Sequence, residues 1–182
     1  MTASDVYVAG ATLSADFPGT AGGAQAVKVC SSNPCADVFV ARLNLGLTSL
    51  VQATYLGGAG DDVATAIAVT ASDVYVAGYT SSTDFPGTSS GAQSVPGGGN
   101  NDAFVARLNL GLTALAQATY LGGAGDDIAV AIAATTSDVY VTGATSSTNF
   151  TGTTGGAQSV HGGGNNDAFV ARLNLGLTAL AQ

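Results

Sequence analysis

The sequence contains no glutamate: all 12 of its acidic residues are aspartate. Basic residues are scarcer still, with four in 182 residues, and charged side chains make up only 9% of the chain. Glutamate, lysine and arginine normally fill the exposed faces of helices, so their scarcity argues against a helical fold. The net charge of −8 argues against nucleic-acid binding and against electrostatic docking to an anionic membrane.

Long apolar runs are also absent. None reaches the roughly 18–20 residues that a membrane-spanning helix needs. Residues 1–20 lack the basic start and continuous apolar centre of a signal peptide, and they contain Asp5 and Asp16. We therefore expect no membrane insertion, and if the protein is exported, its signal lies outside this sequence.

What the chain does contain is repetition. The stretch NDAFVARLNLGLTALAQATYLGGAGDD at 101–127 occurs earlier, with few changes, at 36–62, and begins again at 166. Equivalent residues such as Tyr55 and Tyr120 lie 65 residues apart, and the first unit carries a three-residue insertion. We divide the chain into about 2.75 units: a partial unit 1–61, a second unit 62–126 and an incomplete third unit 127–182.

Each unit contains four predicted strands. Valine, threonine, tyrosine and phenylalanine alternate with small residues between glycine-rich turns, which predicts strands at 62–70, 73–80, 102–110 and 113–121. Gly111 marks the turn between the last two. The alternative for the fourth segment is a short helix, with Thr113 as its N-cap and Gly122 ending it.

Both faces of these strands are largely apolar or small, as expected for sheets covered on both sides by copies of themselves. Phe39, Phe104 and Phe169 occupy equivalent positions and are predicted to anchor the packing.

The repeat resembles a known family. Tyr-Leu-Gly-Gly, Gly-Asp-Asp, Val-Tyr-Val-Ala-Gly, Thr-Ser-Ser-Thr-Asp-Phe-Pro and Asp-Ala-Phe-Val-Ala-Arg-Leu-Asn together look like the SBBP repeat, named for a seven-bladed β-propeller. That resemblance implies propeller-like blades in a secreted or surface protein of a prokaryote, with no catalytic residues to transfer. The Gly-Asn turn usual before Val-Tyr-Val is replaced here by Ala71-Ser72-Asp73.

Fewer than three blades cannot close a propeller, which typically needs four to eight. Three arrangements remain open: a segment of a longer repeat protein, a ring of several copies, or an open β-stack that grows into a fibre by strand addition. Unpaired strand edges of low charge and high β-propensity make a free monomer a poor candidate, so we favour an assembly or a longer parent chain.

The two cysteines, Cys30 and Cys35, lie in the insertion-bearing loop of the first unit. Their spacing suits a small disulfide-closed loop, and free thiols are the alternative. Two thiolates make only half a zinc site. A disulfide would indicate an oxidising compartment, so we expect an extracellular or cell-surface location.

The Gly-Gly-x-Gly-x-Asp turns suggest a calcium site. They end in Asp61-Asp62 and Asp126-Asp127, and their carboxylates and glycine-permitted carbonyls are the ligands that Ca²⁺ prefers. Calcium β-rolls, however, stack such nonapeptides consecutively, and here they are isolated. The structural alternative is that these aspartates bind backbone amides at loop ends.

Other candidate residues are few. Arg42, Arg107 and Arg172 recur once per unit and are expected to pair with aspartate, with acidic-sugar binding as the alternative. Asn149 lies in a formal N-glycosylation sequon, and the Ser/Thr loops offer sites for O-linked sugar. His161, the only histidine, lies in a glycine-rich loop without the partners of a catalytic triad.

We therefore predict no enzyme and no required cofactor. The sequence predicts an extracellular structural or adhesive repeat protein that assembles through stacked β-sheet units. The assembly would be a filament, a ring or a segment of a longer surface protein. A carbohydrate- or surface-ligand-binding propeller module is the alternative.

Overall fold

The computed structural model describes residues 4–30 and 34–181. This part of the chain contains no helix, and every strand pairing in it is antiparallel, which confirms the all-β prediction. The strands are β1 (Asp5–Thr12), β2 (Asp37–Asn44), β3 (Leu50–Leu56), β4 (Asp62–Val69), β5 (Asp73–Thr80), β6 (Asp102–Asn109), β7 (Leu115–Leu121), β8 (Asp127–Ala134), β9 (Asp138–Thr145) and β10 (Asp167–Asn174). No helix in the described ranges is long and apolar enough to cross a membrane.

The strands form three separate sheets, in the orders β1-β2-β3, β4-β5-β6-β7 and β8-β9-β10. Each sheet is a meander in which neighbours along the chain pair, and none closes into a barrel. This architecture fits open, propeller-like blades. The second sheet has all four strands, and Leu180 adds only an isolated bridge, to Leu173, beside β10.

The fourth segment of the unit is a strand, so the helical alternative is wrong. It begins at Leu115 rather than at Thr113, because Thr113 and Ala114 belong to the preceding turn. The side-chain Oδ1 of Asn109 accepts the N–H groups of both, at 2.9 and 3.1 Å. A polar side chain that binds these amides leaves them unavailable to a helix or a ladder.

The turn itself depends on a leucine. The predicted turn at Gly111 is present, but the residue with positive φ is the next one, Leu112 (φ 56°). Its equivalents Leu47 and Leu177 have φ of 54° and 58°. A left-handed leucine costs about 1–2 kcal/mol. Burial of the side chain, complete for Leu112 and Leu177, opposes that cost.

Two apolar cores hold the three sheets together. The first lies between sheets one and two and includes Tyr7, Val40 and Phe104. The second lies between sheets two and three and includes Tyr75 and Val105. The leading strands β4 and β8 lie close to the preceding sheets, and small alanines along them permit that approach.

Candidate functional site

The junction between successive sheets is the most elaborate polar feature of the protein. In the first junction, four consecutive amides of the Gly-Gly-Ala-Gly-Asp loop bind side-chain oxygens. The acceptors of Gly58, Ala59, Gly60 and Asp61 are Asp62 Oδ2 (2.8 Å), Asp84 Oδ1 (2.9 Å), Ser82 Oγ (2.9 Å) and Ser81 Oγ (2.8 Å). Two motifs about twenty residues apart, the Gly-Asp loop and Ser-Ser-Thr-Asp, therefore form one structural unit.

The second junction repeats this arrangement. The amides of Gly123, Ala124, Gly125 and Asp126 bind Asp127 Oδ2 (2.8 Å), Asn149 Oδ1 (2.8 Å), Ser147 Oγ (2.8 Å) and Ser146 Oγ (2.7 Å). Asn149 thus takes the place of Asp84, because its amide oxygen accepts the same backbone N–H. Its side chain is exposed, and glycosylation there stays a prediction.

The second aspartate of each loop is fully buried at the start of a strand. Asp62 Oδ2 also accepts a hydrogen bond from Ser82 Oγ at 2.9 Å, and Asp62 Oδ1 accepts one from Thr80 Oγ1. Asp127 accepts from Ser147 in the same way, at 2.8 Å, but its Oδ1 has no hydrogen-bond partner in the described structure.

Buried carboxyls meet in pairs at these junctions. Asp37 lies close to Asp62, and Asp102 lies close to Asp127. Burial raises the pKa of Asp62 to about 7. The hydrogen bond from Thr80 lowers this pKa, and the charge of Asp37 raises it further. Burial likewise raises the pKa of Asp102 to about 6, with the charge of Asp127 adding to the effect.

The first aspartate of each loop accepts backbone N–H groups of the segment that precedes β2 or β6. Asp61 Oδ1 accepts the N–H of Ala36 at 2.8 Å. Asp126 Oδ1 accepts the N–H groups of Asn100 and Asn101 at 2.5 and 3.3 Å. The hydrogen bond from the Asn100 amide holds the pKa of Asp126 below its usual value.

These contacts favour the structural role of the Gly-Asp turns over calcium binding, because Asp61, Asp62 and Asp126 already accept hydrogen bonds from N–H or O–H donors. Within residues 4–30 and 34–181, one group of three side chains brings candidate metal-ligand atoms within 4.8 Å of one another. That group is Cys30, Cys35 and Asp61, and both of its sulfurs belong to a disulfide. Calcium binding at the junctions stays a prediction.

The disulfide Cys30–Cys35 is confirmed, with the two Cα atoms 5.9 Å apart. It lies against the first junction, where Cys30 Sγ is 3.1 Å from the carbonyl oxygen of Gly60. At the second junction the same place is taken by Gly97–Gly99, whose backbone lies directly against residues 123–125. In the first unit, therefore, a disulfide-closed loop contacts the junction where the second unit has the three glycines Gly97–Gly99.

The repeated arginines lie among aspartates and turn carbonyls. Arg42 Nε is 3.0 Å from Asp5 Oδ1, and its Nη2 donates to Asp5 Oδ2 at 3.1 Å. Arg107 Nε is 3.9 Å from Asp73 Oδ1, and its Nη1 donates to the carbonyl of Leu175, in the turn after β10, at 3.3 Å. Arg172, the third equivalent, is exposed.

The predicted aromatic anchors each pack against a second phenylalanine of the same unit. The ring centroids are 4.6 Å apart for Phe17–Phe39, and 4.5 Å apart for Phe85–Phe104 and Phe150–Phe169. His161, in the third unit, lies 3.5 Å from Asp167 and no nucleophilic side chain completes a triad with it in the described contacts.

Sequence reasoning missed the residues that join the sheets. They are Tyr7, Tyr75 and two of the left-handed leucines, Leu112 and Leu177, whose side chains or carbonyls bridge from one unit to the next. The signal available was the recurrence of a non-glycine residue, Leu112, directly after Gly111 in a tight turn.

No protein-family model matches the sequence, and no curated protein matches it either. The resemblance to the SBBP repeat therefore depends on the quoted motifs.

Proposed function

We propose that this chain is an extracellular structural repeat protein of the SBBP-like, propeller-blade type, which assembles by stacking its open sheet faces on further units of the same repeat. One observation carries the proposal. Residues that are buried between sheets inside the chain are exposed, at equivalent positions, on its two end faces. We define the end faces by these residues: the β9–β10 face by Tyr140 and Val170, and the β2–β3 face by Leu45 and Leu47.

The β9–β10 face exposes side chains that the repeat elsewhere buries. Val170 is 72% exposed, whereas its equivalents Val40 and Val105 are fully buried. Tyr140 is 37% exposed, and its equivalent Tyr75 is 1% exposed. Burying apolar side chains of this kind against a neighbouring sheet would stabilise the association of the two sheets.

The β2–β3 face shows the complementary pattern. Leu47 is 63% exposed, whereas Leu112 and Leu177 are fully buried against the preceding sheets. Leu47 keeps the left-handed backbone of its equivalents although its side chain is mostly exposed, so less burial offsets the strain.

The internal interfaces indicate how two such faces fit. Tyr7 Oη donates to the carbonyl of Leu110 at 2.8 Å, and Tyr75 Oη donates to that of Leu175 at 3.0 Å. Backbone bonds of 2.9 Å accompany them, from Ala24 to Leu112 and from Ala92 to Leu177. On the end faces, Tyr140 and Ala157 are the equivalent donors, and Leu45 and Leu47 carry the equivalent carbonyls.

The two end faces are therefore different surfaces, and the hydrogen-bond donors of one match the carbonyl acceptors of the other. An interface between unlike faces is heterologous, and it produces a ring if the rotation closes and a filament if it does not. The disulfide is compatible with an extracellular or oxidising location, where a structural assembly of this kind would persist.

Sedimentation velocity over a range of protein concentrations, together with electron microscopy, tests the proposal. We expect association that Tyr140→Asp and Leu47→Asp each abolish, because either change places a charge in the apolar contact. Val95→Asp is the matched control: Val27, Val95 and Val160 are exposed by 68, 65 and 73%, so this position lies outside the interface in every unit. A wild-type protein that remains monomeric at all concentrations would overturn the proposal.

A further inference from the structure

The loop that carries the disulfide ties sheet one to the first strand of sheet two. We call residues 28–30 the first arm of this loop and residues 34–36 its second arm, and the disulfide joins the two arms. The second arm contributes Ala36, whose N–H donates to Asp61 Oδ1 and whose carbonyl accepts the N–H of Asp62, both at 2.8 Å. Because β4 begins at Asp62, the second arm bonds directly to the strand that opens the next sheet.

The first arm bonds to a buried carboxyl of the same junction. The N–H groups of Val29 and Cys30 donate to Oδ2 and Oδ1 of Asp37, at 2.9 and 3.3 Å. The Asp37 side chain is fully buried and lies close to Asp62. A buried carboxylate that loses its donors is costly, so the junction depends on the first arm staying in place.

The second unit shows the same loop without a cross-link. There the N–H of Gly97 donates to Asp102 Oδ1 at 3.1 Å, as that of Val29 does to Asp37. The backbone of this loop lies directly on the junction. A Cβ on Gly97 would collide with the carbonyl oxygen of Gly123. Only glycine permits so close an approach, so in the second unit the glycine backbone alone closes the contact.

The first unit cannot close its junction with bare backbone. Its first arm carries side chains where the second unit has glycine, and three additional residues separate the two arms. Cys30 Sγ instead lies 3.1 Å from the carbonyl oxygen of Gly60. The equivalent carbonyl in the second unit, that of Gly125, lies 2.5 Å from where a Cβ on Gly99 would be. A sulfur atom therefore covers the place that the second unit covers with glycine.

Breaking the disulfide would free the first arm rather than the second. Two unbonded sulfurs cannot stay at bonding distance, so at least one of them must move. Cys35 is 2% exposed and precedes Ala36, which is hydrogen-bonded through both its N–H and its carbonyl. Cys30 is only partly buried. Once the cross-link is cut, the loop also regains conformational freedom, and the first arm takes the donors of Asp37 with it.

The reaction needs a dithiol from outside the protein. A thiolate of the dithiol attacks Cys30 Sγ, the more exposed sulfur, and the bond breaks with its electron pair on Cys35 Sγ. The second thiol of the reductant then displaces Cys30 and forms the reductant's own disulfide, so two electrons and two protons pass to the protein. The ammonium of Lys28 donates to the carbonyl of Cys35 and favours the thiolate that leaves there.

We propose that the Cys30–Cys35 disulfide is a redox-sensitive clasp of the first junction. In the oxidised protein it holds the first arm against Asp37 and Gly60. Reduction by a dithiol releases the first arm and loosens the contact between sheets one and two, whereas the second junction, which glycine closes, does not respond. None of these residues belongs to the two end faces, so the inference goes beyond the stacking proposal and does not depend on it.

Hydrogen–deuterium exchange followed by mass spectrometry tests the clasp within one molecule. The stretch ATYLGGAGDD is identical at 53–62 and 118–127, so corresponding amides within it have the same intrinsic exchange rates. Peptides that extend into β4 or β8 are distinguished by Val63 and Ile128. With a dithiol reductant, exchange at residues 58–61 should become about tenfold faster or more, and exchange at 123–126 should stay unchanged.

Two variants separate the disulfide from other effects of the reductant. The double variant Cys30→Ser, Cys35→Ser should exchange rapidly at the first junction without any reductant. A variant in which residues 28–36 are replaced by the corresponding glycine loop, residues 96–101, should exchange slowly there with and without reductant. Alkylation of the released thiols measures how much of the protein has been reduced.

Three outcomes would overturn the inference. The first is unchanged exchange at residues 58–61 after complete reduction, and the second is an equal rise at both junctions. The third is a loss of protection throughout β5 and β6, because reduction would then unfold the chain instead of releasing one arm. None of these outcomes bears on whether the end faces associate, so the clasp and the stacking proposal can fail separately.

Discussion

Leu47 and Leu112 share one backbone conformation but not one environment. Their φ angles are 54° and 56°, both in the left-handed region, while the leucine side chains are 63% and 0% exposed. In both turns an asparagine side chain accepts the two following amides, from Thr48 and Ser49 in the first unit and from Thr113 and Ala114 in the second. The turn is therefore formed locally, and only burial of the leucine depends on a neighbouring sheet.

The two leucines predict opposite responses to one substitution. Asparagine tolerates the left-handed region better than leucine. Leu47→Asn should therefore leave the free energy of unfolding unchanged or raise it by up to about 1 kcal/mol. Leu112→Asn should lower it by about 2–5 kcal/mol, because it removes a buried side chain from the core. Urea unfolding of both variants measures the difference, and equal destabilisation would contradict the assignment of Leu47 to an open face.

Much of the fold could be predicted from the sequence, because strand-forming residues recur between glycine-rich turns. The predicted strand 113–121 begins two residues late in the structure for a reason that pattern does not reveal. The Asn109 side chain, four residues earlier, captures the amides of Thr113 and Ala114. Propensity describes each residue alone, whereas this turn depends on one side chain binding a later backbone.

The interfaces could not be predicted in the same way. Val105 and Val170 are the same residue in nearly identical stretches, yet one is fully buried and the other 72% exposed. Burial here depends on whether another sheet lies against the residue. Because the repeated stretches are nearly identical, the local sequence does not indicate which copy is covered. The buried Asp62 was likewise hidden, because its partners Thr80 and Ser82 lie about twenty residues away.

Stability should fall as pH rises through the mildly acidic range. The pKa of Asp62 is about 7 in the folded protein against about 3.9 in an unfolded chain. The folded state therefore binds more protons between these values. The contribution of this group to stability is fully present below the unfolded pKa and declines as pH rises from about 4 towards 7, by on the order of 4 kcal/mol. Asp102, with a pKa of about 6, contributes in the same direction.

Urea unfolding at several pH values measures this slope. Asp62→Asn should reduce the slope, since the amide cannot titrate. Asp102 and Asp37, whose pKa values burial also raises, should account for the slope that remains. Asp16→Asn, at an exposed loop position, should leave the wild-type slope unchanged. A wild-type protein that becomes more stable between pH 5 and pH 7 would contradict the burial of these carboxyls in the folded state.

Calcium should have little effect on thermal stability if the Gly-Asp turns are structural. Asp126 Oδ1 already accepts the amides of Asn100 and Asn101, so a cation would have to compete with these bonds. We expect the same Tm in chelator and in millimolar calcium. A calcium-dependent rise in Tm that is lost in Asp126→Asn would instead support the metal-site hypothesis drawn from the sequence.

Close contact at the first junction should make one glycine there irreplaceable. A Cβ on Gly60 would lie 2.5 Å from Ser81 Oγ and 2.9 Å from the carbonyl carbon of Ser81, so the main chain would have to move. Gly60→Ala should lower the free energy of unfolding by about 1–3 kcal/mol. Gly46→Ala is the matched control, because its Cβ would meet nothing nearer than Thr48 Oγ1 at 3.6 Å. Equal stability of the two variants would mean that the amide-binding loops tolerate separation, and the junction would then not set the spacing between sheets.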